Sequence, residues 1–255
     1  MNKSILLLAF ISVLGTSAPA QAQTQEAASP FSANIGVTTD YRYRGISQSR
    51  LKPALQGGLD YALPAGFYIG TWASTIKWIK DIPGGDAGVE IDVYAGVKGE
   101  IAKDLAFDVG VLTYIYPGNK LGNVSGLVSA NTTEVYGALT FGPVTAKYSH
   151  AVTNTFGNPD SKNSFYVDLS AGFPLPWDMT LTPHIGYQKI KGIYSEGATY
   201  TDYSIALSKD FSGFLVSAAI VGTDADKGFY VPGANANSSK FLGKTAGVLS
   251  VKYTF

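Results

Sequence analysis

The chain has 255 residues, no Cys, and 19 basic side chains against 19 acidic ones. Charged residues make up only 15%, where an ordinary soluble domain carries roughly 25%. This balance argues against a basic nucleic-acid-binding surface, the missing Cys exclude a disulfide framework, two His without Cys argue against a dedicated transition-metal site, and no cofactor is expected.

Residues 1–22 read as a secretory signal peptide. Lys3 supplies the positive start, Ile5 to Leu14 is a mostly apolar run too short to span a bilayer, and Ala20-Gln21-Ala22 is a small-x-small cleavage site. No Cys stands at the cut, which excludes a lipoprotein. The segment holds Lys3 and no acid, so removing it leaves 18 basic and 19 acidic groups.

Period-2 alternation then predicts twelve strands, over about 32–44, 54–63, 67–77, 88–101, 105–116, 133–142, 144–152, 164–173, 179–190, 200–210, 213–222 and 245–255. In 88–101, Val89, Ile91, Val93, Ala95 and Val97 oppose Glu90, Asp92, Tyr94, Lys98 and Glu100. In 164–173, Phe165, Val167, Leu169 and Ala171 oppose Tyr166, Asp168 and Ser170. Small residues such as Gly70, Ala73, Ala218 and Ala219 blur the faces of 67–77 and 213–222. No mature segment approaches the ~18 apolar residues of a membrane helix.

The connections alternate long and short. Short turns fall at Pro64-Ala65-Gly66, Ala102-Lys103-Asp104, Gly142-Pro143, Pro174 to Asp178 and Asp210-Phe211-Ser212. Long loops cover about 45–53, 78–87, 117–132, 153–163, 191–199 and 223–244. That rhythm is the layout of an up-and-down antiparallel transmembrane β-barrel, whereas Greek-key sandwiches mix loop lengths between both ends. A closed barrel also solves the backbone problem, since hydrocarbon tolerates no sheet edge. Tyr61, Phe67, Phe141, Phe173, Trp177, Phe211, Phe214, Tyr253 and Phe255 gather near the short turns as an interfacial girdle. The fold class is therefore all-β, with residues 23–255 forming a single outer-membrane barrel of about twelve strands.

The last strand ends with Leu249, Val251, Tyr253 and Phe255 on one face. A terminal aromatic closing an alternating strand resembles the signal read by the barrel assembly machinery, so Tyr253 and Phe255 are assigned that role. The first strand carries the most unusual chemistry, because all three Arg lie between positions 42 and 50. Asp40, Arg42 and Arg44 share the face expected to point into the lumen. Two readings stay open: an anion-attracting constriction, or simple pairing with acids on adjacent strands such as Asp60.

Several blocks carry a family resemblance: Asp40-Tyr41-Arg42-Tyr43-Arg44-Gly45-Ile46-Ser47-Gln48-Ser49, Gln56-Gly57-Gly58-Leu59-Asp60-Tyr61, and Gly66-Phe67-Tyr68 with Gly70-Thr71-Trp72-Ala73-Ser74. Glu90-Ile91-Asp92-Val93-Tyr94-Ala95-Gly96, Tyr114-Ile115-Tyr116-Pro117-Gly118, Glu134-Val135-Tyr136, Ala146-Lys147-Tyr148-Ser149 and Tyr166-Val167-Asp168-Leu169 extend it over nearly the whole mature chain. With these the chain resembles the TorF family of proteobacterial porin-like proteins. The resemblance implies an outer-membrane barrel of porin type and brings no substrate and no catalytic residues.

An enzyme is not expected. Ser149 and His150 are adjacent, so on a strand they point to opposite faces and cannot pair, and His184 shares a face with Thr182 and Gln188 toward the lumen. The inward projections predicted are Asp40, Arg42, Arg44, Asp60, Glu90, Asp92, Lys98, Glu100, Asp108, Glu134, Lys147, Asp168, His184, Asp202 and Lys252. A lining of both signs suits passive diffusion of small polar solutes through the cell outer membrane. The alternative is a non-conducting barrel acting in structure or adhesion through its extracellular loops. Of those loops, 117–132 and 223–244 are expected to be the ones that enter the lumen. The partners expected are outer-membrane lipids, the assembly machinery and small polar solutes, with no nucleic acid.

Overall fold

The computed structural model describes residues 29–234 and 240–255; the expected signal peptide lies outside them. Among the described residues, one antiparallel sheet runs through β1 (Phe31–Thr38), β4 (Ala54–Ala62), β5 (Phe67–Thr75), β6 (Val89–Ala102), β7 (Leu105–Ile115), β8 (Thr132–Phe141), β9 (Val144–Ala151), β10 (Phe165–Ala171), β12 (Met179–Lys189), β13 (Tyr200–Phe211), β14 (Phe214–Thr223) and β15 (Ala246–Thr254). A short β11 (Phe173–Leu175) continues β10 past Gly172 and pairs with β12, so twelve strands form the wall. Two further short strands, β2 (Arg42–Tyr43) and β3 (Ile46–Ser47), pair only with each other.

Closure comes from the seam between first and last strands. Ile35 pairs with Tyr253 and Val37 with Val251, and the Phe255 amide donates to the Ala33 carbonyl at 2.8 Å. No wall strand is left with an open edge, as hydrocarbon requires. On the short-turn rim, Ser212 and Gly213 both take positive φ, 56° and 94°, the two-residue hairpin geometry that matches the twist of paired strands.

Outward side chains form an apolar belt that includes Ile35, Val37, Leu59, Val93, Val109, Leu169, Ile185, Ile205, Leu207 and Val251, all exposed. The girdle expected at the short-turn rim is present, with Tyr61, Phe67, Phe141, Phe173, Trp177, Phe211, Phe214 and Phe255 exposed, while Tyr253 is half-buried, packed 4.5 Å from the Phe214 ring. Tyr148, Tyr187 and Tyr203 are exposed toward the long-loop rim. Tyr203 and Phe211 share a face of β13 and stand about 26 Å apart along it, which a tilted strand fits within the apolar band of about 25 Å.

The inner face is built by tyrosine rings lying over glycines. Tyr94 and Gly70, Tyr68 and Gly96, and Tyr136 and Gly110 are cross-strand partners. A Cβ at Gly110 would stand 2.5 Å from the Tyr136 hydroxyl and 2.6 Å from the Ala95 carbonyl oxygen. Glycine at these positions lets a ring lie flat on the wall and deliver its hydroxyl to a neighbouring acid. Tyr94 thus donates to Asp60 at 2.6 Å and Tyr68 to Asp108 at 2.5 Å, and the Tyr68 and Tyr136 hydroxyls bond each other.

The first strand corrects one expectation. Alternation predicts a strand over 32–44, yet β1 ends at Thr38 and residues 39–53 turn inward. From Asp40 to Ser47 every residue is buried on both faces. A segment surrounded by lumen has no lipid face, so the alternating Tyr and Arg there do not report a wall strand.

Two outcomes follow. Leu207→Arg places a charge on the outward face midway between the girdles; in phospholipid vesicles it should cost about 2–4 kcal/mol of unfolding free energy by urea titration. A water-facing position would tolerate it within about 0.5 kcal/mol. Gly110→Val should overpack the Tyr136 site and cost about 1–3 kcal/mol in the same assay.

Candidate functional site

The lumen is crossed by the 39–53 segment. It forms a hairpin in which Arg42 pairs with Ser47 and Tyr43 with Ile46. Arg44 and Gly45 make the tip, at φ 46° and 79°. Gly45 is required twice over: its φ is left-handed, and a Cβ would lie 2.7 Å from the Asp202 Cβ on β13.

Asp40 holds the hairpin's base. Its carboxylate accepts from Arg42 Nε at 2.5 Å, Ser47 Oγ at 2.6 Å and Ser49 Oγ at 3.1 Å. Arg42 Nη1 also donates to the carbonyls of Gly45, Leu242 and Lys244, at 2.9, 3.2 and 3.1 Å. The Ser47 amide donates to the Leu242 carbonyl, and the Lys77 amide to the Gln48 carbonyl. The hairpin is therefore pinned to two of the outer loops as well as to β1.

At its tip the hairpin reaches the opposite walls. Arg44 donates from Nη2 to Glu134 Oε2 at 2.6 Å and from Nη1 to Gln188 Oε1 at 2.5 Å, and its guanidinium carbon stands 4.3 Å from the Tyr166 ring centroid. Both charged side chains are nearly sealed from solvent, Arg44 at 3% exposure and Glu134 at 2%. A charge this deep is tolerable only when paired and hydrogen-bonded. Tyr43 donates to the Tyr114 hydroxyl at 2.6 Å, and Tyr41 to Glu90 Oε1 at 2.8 Å. Burial pushes the Tyr41 and Tyr43 phenols well above their usual range, so both stay neutral hydroxyls. One hairpin thus ties β6, β7, β8 and β12 together across the lumen.

The other residues expected to face inward divide into groups. His184 sits between two acids, with Nε2 2.6 Å from Asp168 and Nδ1 3.6 Å from Asp202, and Tyr166 donates to Asp202 at 3.0 Å. Lys98 and Lys147 lie over tyrosine rings, 5.3 Å from Tyr68 and 4.2 Å from Tyr136. Asp60 and Asp108 take the Tyr94 and Tyr68 hydroxyls, and Asp92 is buried on the same face of β6 as Glu90. Lys252 is half-buried on β15. Glu100 is exposed beside the β6–β7 turn, away from the others.

The arginines do pair with acids, but not with the ones expected on adjacent wall strands. Arg42 pairs with Asp40 of its own segment, and Arg44 pairs across the lumen with Glu134, while Asp60 takes a tyrosine instead. Ser149 is buried and His150 faces outward, 3.0 Å from the Tyr148 hydroxyl, so the two do not meet.

Loop 117–132 and the described residues 223–234 and 240–244 roof the lumen, while 39–53 is the segment that enters it. Leu121 is buried with Ile79 and Tyr116, and Leu242 and Ala225 with Ile46. Between this roof and the hairpin lies a cavity of about 660 Å³, within the usual range of small-molecule sites. Trp78, Tyr116 and Phe156 form one side of it; Tyr194, Tyr200, Phe229 and Tyr230 form another. Sequence reading missed it, because its residues come from separate loops with no shared motif.

No curated protein matches the chain. Among solved structures, the KdgM porin superposes with a TM-score of 0.53 at 10% identity, over 88% of this chain and 99% of its own. KdgM in complex with disordered oligogalacturonate gives 0.53 at 9% identity, over 88% and 99%. The NanC porin gives 0.52 at 9% identity, over 88% and 98%. At such identities the likeness is one of fold: a closed barrel of porin type. Residues 22–255 match the family described as "Bacterial protein of unknown function (Gcw_chp)", and the chain belongs to that family.

Proposed function

We propose that this protein is an outer-membrane channel of porin type for passive diffusion of small polar solutes, narrowed by the hairpin of residues 39–53. The observation that carries the reading is a closed barrel, apolar outside, whose lumen bears charges of both signs. Mixed charge orients polar solutes without holding them tightly, which conduction requires. The resemblance to the TorF family supports it, as does the porin fold. Export through a cleaved leader over 1–22, and recognition of Tyr253 and Phe255 by the barrel assembly machinery, belong to the same reading.

Small zwitterionic or neutral cargo fits this lumen better than a polyanion such as the oligogalacturonate bound by KdgM. The chain has three Arg, and Arg42 and Arg44 are already paired with Asp40 and Glu134. One observation favours a second reading, a non-conducting barrel: the hairpin bonds to walls on several sides and its residues are sealed. The two readings differ in whether the hairpin leaves a path.

Single-channel recording of the refolded protein decides between them. Wild type should give small steps, and Tyr43→Ala with Arg44→Ala, checked for folding by circular dichroism, should give larger ones. Silence from both would leave the non-conducting barrel. Selectivity gives a separate outcome with a fixed sign. Arg42→Gln with Arg44→Gln strips the cations from two pairs and leaves Asp40 and Glu134 uncompensated, so reversal potentials in a salt gradient should move toward cation preference. Movement toward anions, or none, would exclude these residues from the conducting path.

A further inference from the structure

We propose that the cavity above the hairpin is a binding site for an uncharged ring-bearing molecule with a few hydroxyls, such as an aryl glycoside. The inference goes beyond the channel reading and does not depend on it, since binding at equilibrium needs no conduction.

The argument begins with what the cavity lacks. Among the described residues that line it, none is an Asp, Glu, Lys, Arg or His, although the lumen directly beneath is crowded with charge. The separation is made by the hairpin. Tyr43 lines the cavity, while its hydroxyl is spent on Tyr114 and its ring stands 4.8 Å from the Arg44 guanidinium carbon. Gln188 also lines it and already accepts from Arg44. A charged ligand would shed water into this space and find no counter-charge, a cost of several kcal/mol.

The walls supply the attraction. On one side Trp78 stands edge-on to Tyr116, with centroids 5.5 Å apart at 88°. On the other, Tyr194 and Phe229 are 6.1 Å apart, and Phe229 and Tyr230 are 5.0 Å apart. Two aromatic walls present ring faces and edges to a flat guest, and each such ring pairing adds affinity beyond area burial. Two ring positions are fixed by bonds to carbonyls: the Tyr194 hydroxyl donates to Gly126 at 3.0 Å and the Tyr230 hydroxyl to Ala198 at 2.8 Å. Walls held in place before binding lose little freedom when a guest enters. Gln48, Ser125 and Asn158 are polar members of the same lining; the Gln48 and Asn158 amide nitrogens already donate to Ile46 and Thr155, so their side-chain oxygens and the Ser125 hydroxyl are the groups to orient a ligand's hydroxyls.

The test uses a matched pair of probes, phenyl β-D-glucopyranoside and its anionic counterpart phenyl β-D-glucuronide, titrated calorimetrically into the full-length barrel in detergent. Saturable binding of the glucoside is expected, with the glucuronide more than tenfold weaker because its carboxylate meets no cation. Tyr194→Ala with Phe229→Ala should weaken the glucoside roughly tenfold by removing two rings from one wall. A second readout covers the case in which that variant misfolds. Trp72→Phe with Trp177→Phe leaves Trp78 as the sole indole, and the glucoside should shield it from acrylamide quenching. The proposal falls if the glucoside shows no saturable heat, if the glucuronide binds as well, or if Trp78 quenching is unchanged at saturating glucoside.

Discussion

Backbone pairing in a medium without water is the constraint on which the rest of this molecule depends. Each unpaired amide or carbonyl in hydrocarbon costs several kcal/mol, so the wall must close. It closes where β1 meets β15, a contact between the two ends of the described chain. Everything local serves that seam. The tight turns keep neighbouring strands in register on one rim, and the alternation of outward apolar and inward polar residues means that a slip of one residue would turn every face over.

Closure creates a second problem, an interior that must be filled or left wet. Tyrosine solves much of it here. Rings laid over Gly70, Gly96 and Gly110 line the wall closely and carry their hydroxyls to Asp60, Asp108 and one another. The same residue type anchors the hairpin through Tyr41 and Tyr43. An acid that accepts a tyrosine hydroxyl is partly satisfied without a counter-ion, which lets an interior with few Arg hold many carboxylates. Where a full charge is sealed, at Arg44 and Glu134, the partner is direct.

The hairpin divides the interior into two chemistries. Beneath it the lumen is ionic and hydrogen-bonded; above it the cavity is aromatic and uncharged. The uncharged chamber lies on the long-loop side of the hairpin and the charged lumen on the other.

The wall was legible in the sequence because a strand's two faces see different media. Period-2 alternation, the long and short connections and the aromatic girdle all record that difference, and apart from the first run beyond Thr38 all appear in the structure within a few residues of where alternation places them. β14 was harder to read because Ala206, Ala219, Val221 and Val248 make a small apolar patch on the inner face, so both sides of the sheet look alike there. Local pattern determined the strands, their faces and the rim on which each turn lies. Only the tertiary structure decided the fate of 39–53. Its alternation continues unbroken from β1, but a segment buried on all sides obeys no lipid–lumen rule. Which acids Arg42 and Arg44 meet, and which rings enclose the cavity, depend on loops far apart in the chain. Those contacts exist only after the barrel has closed around them.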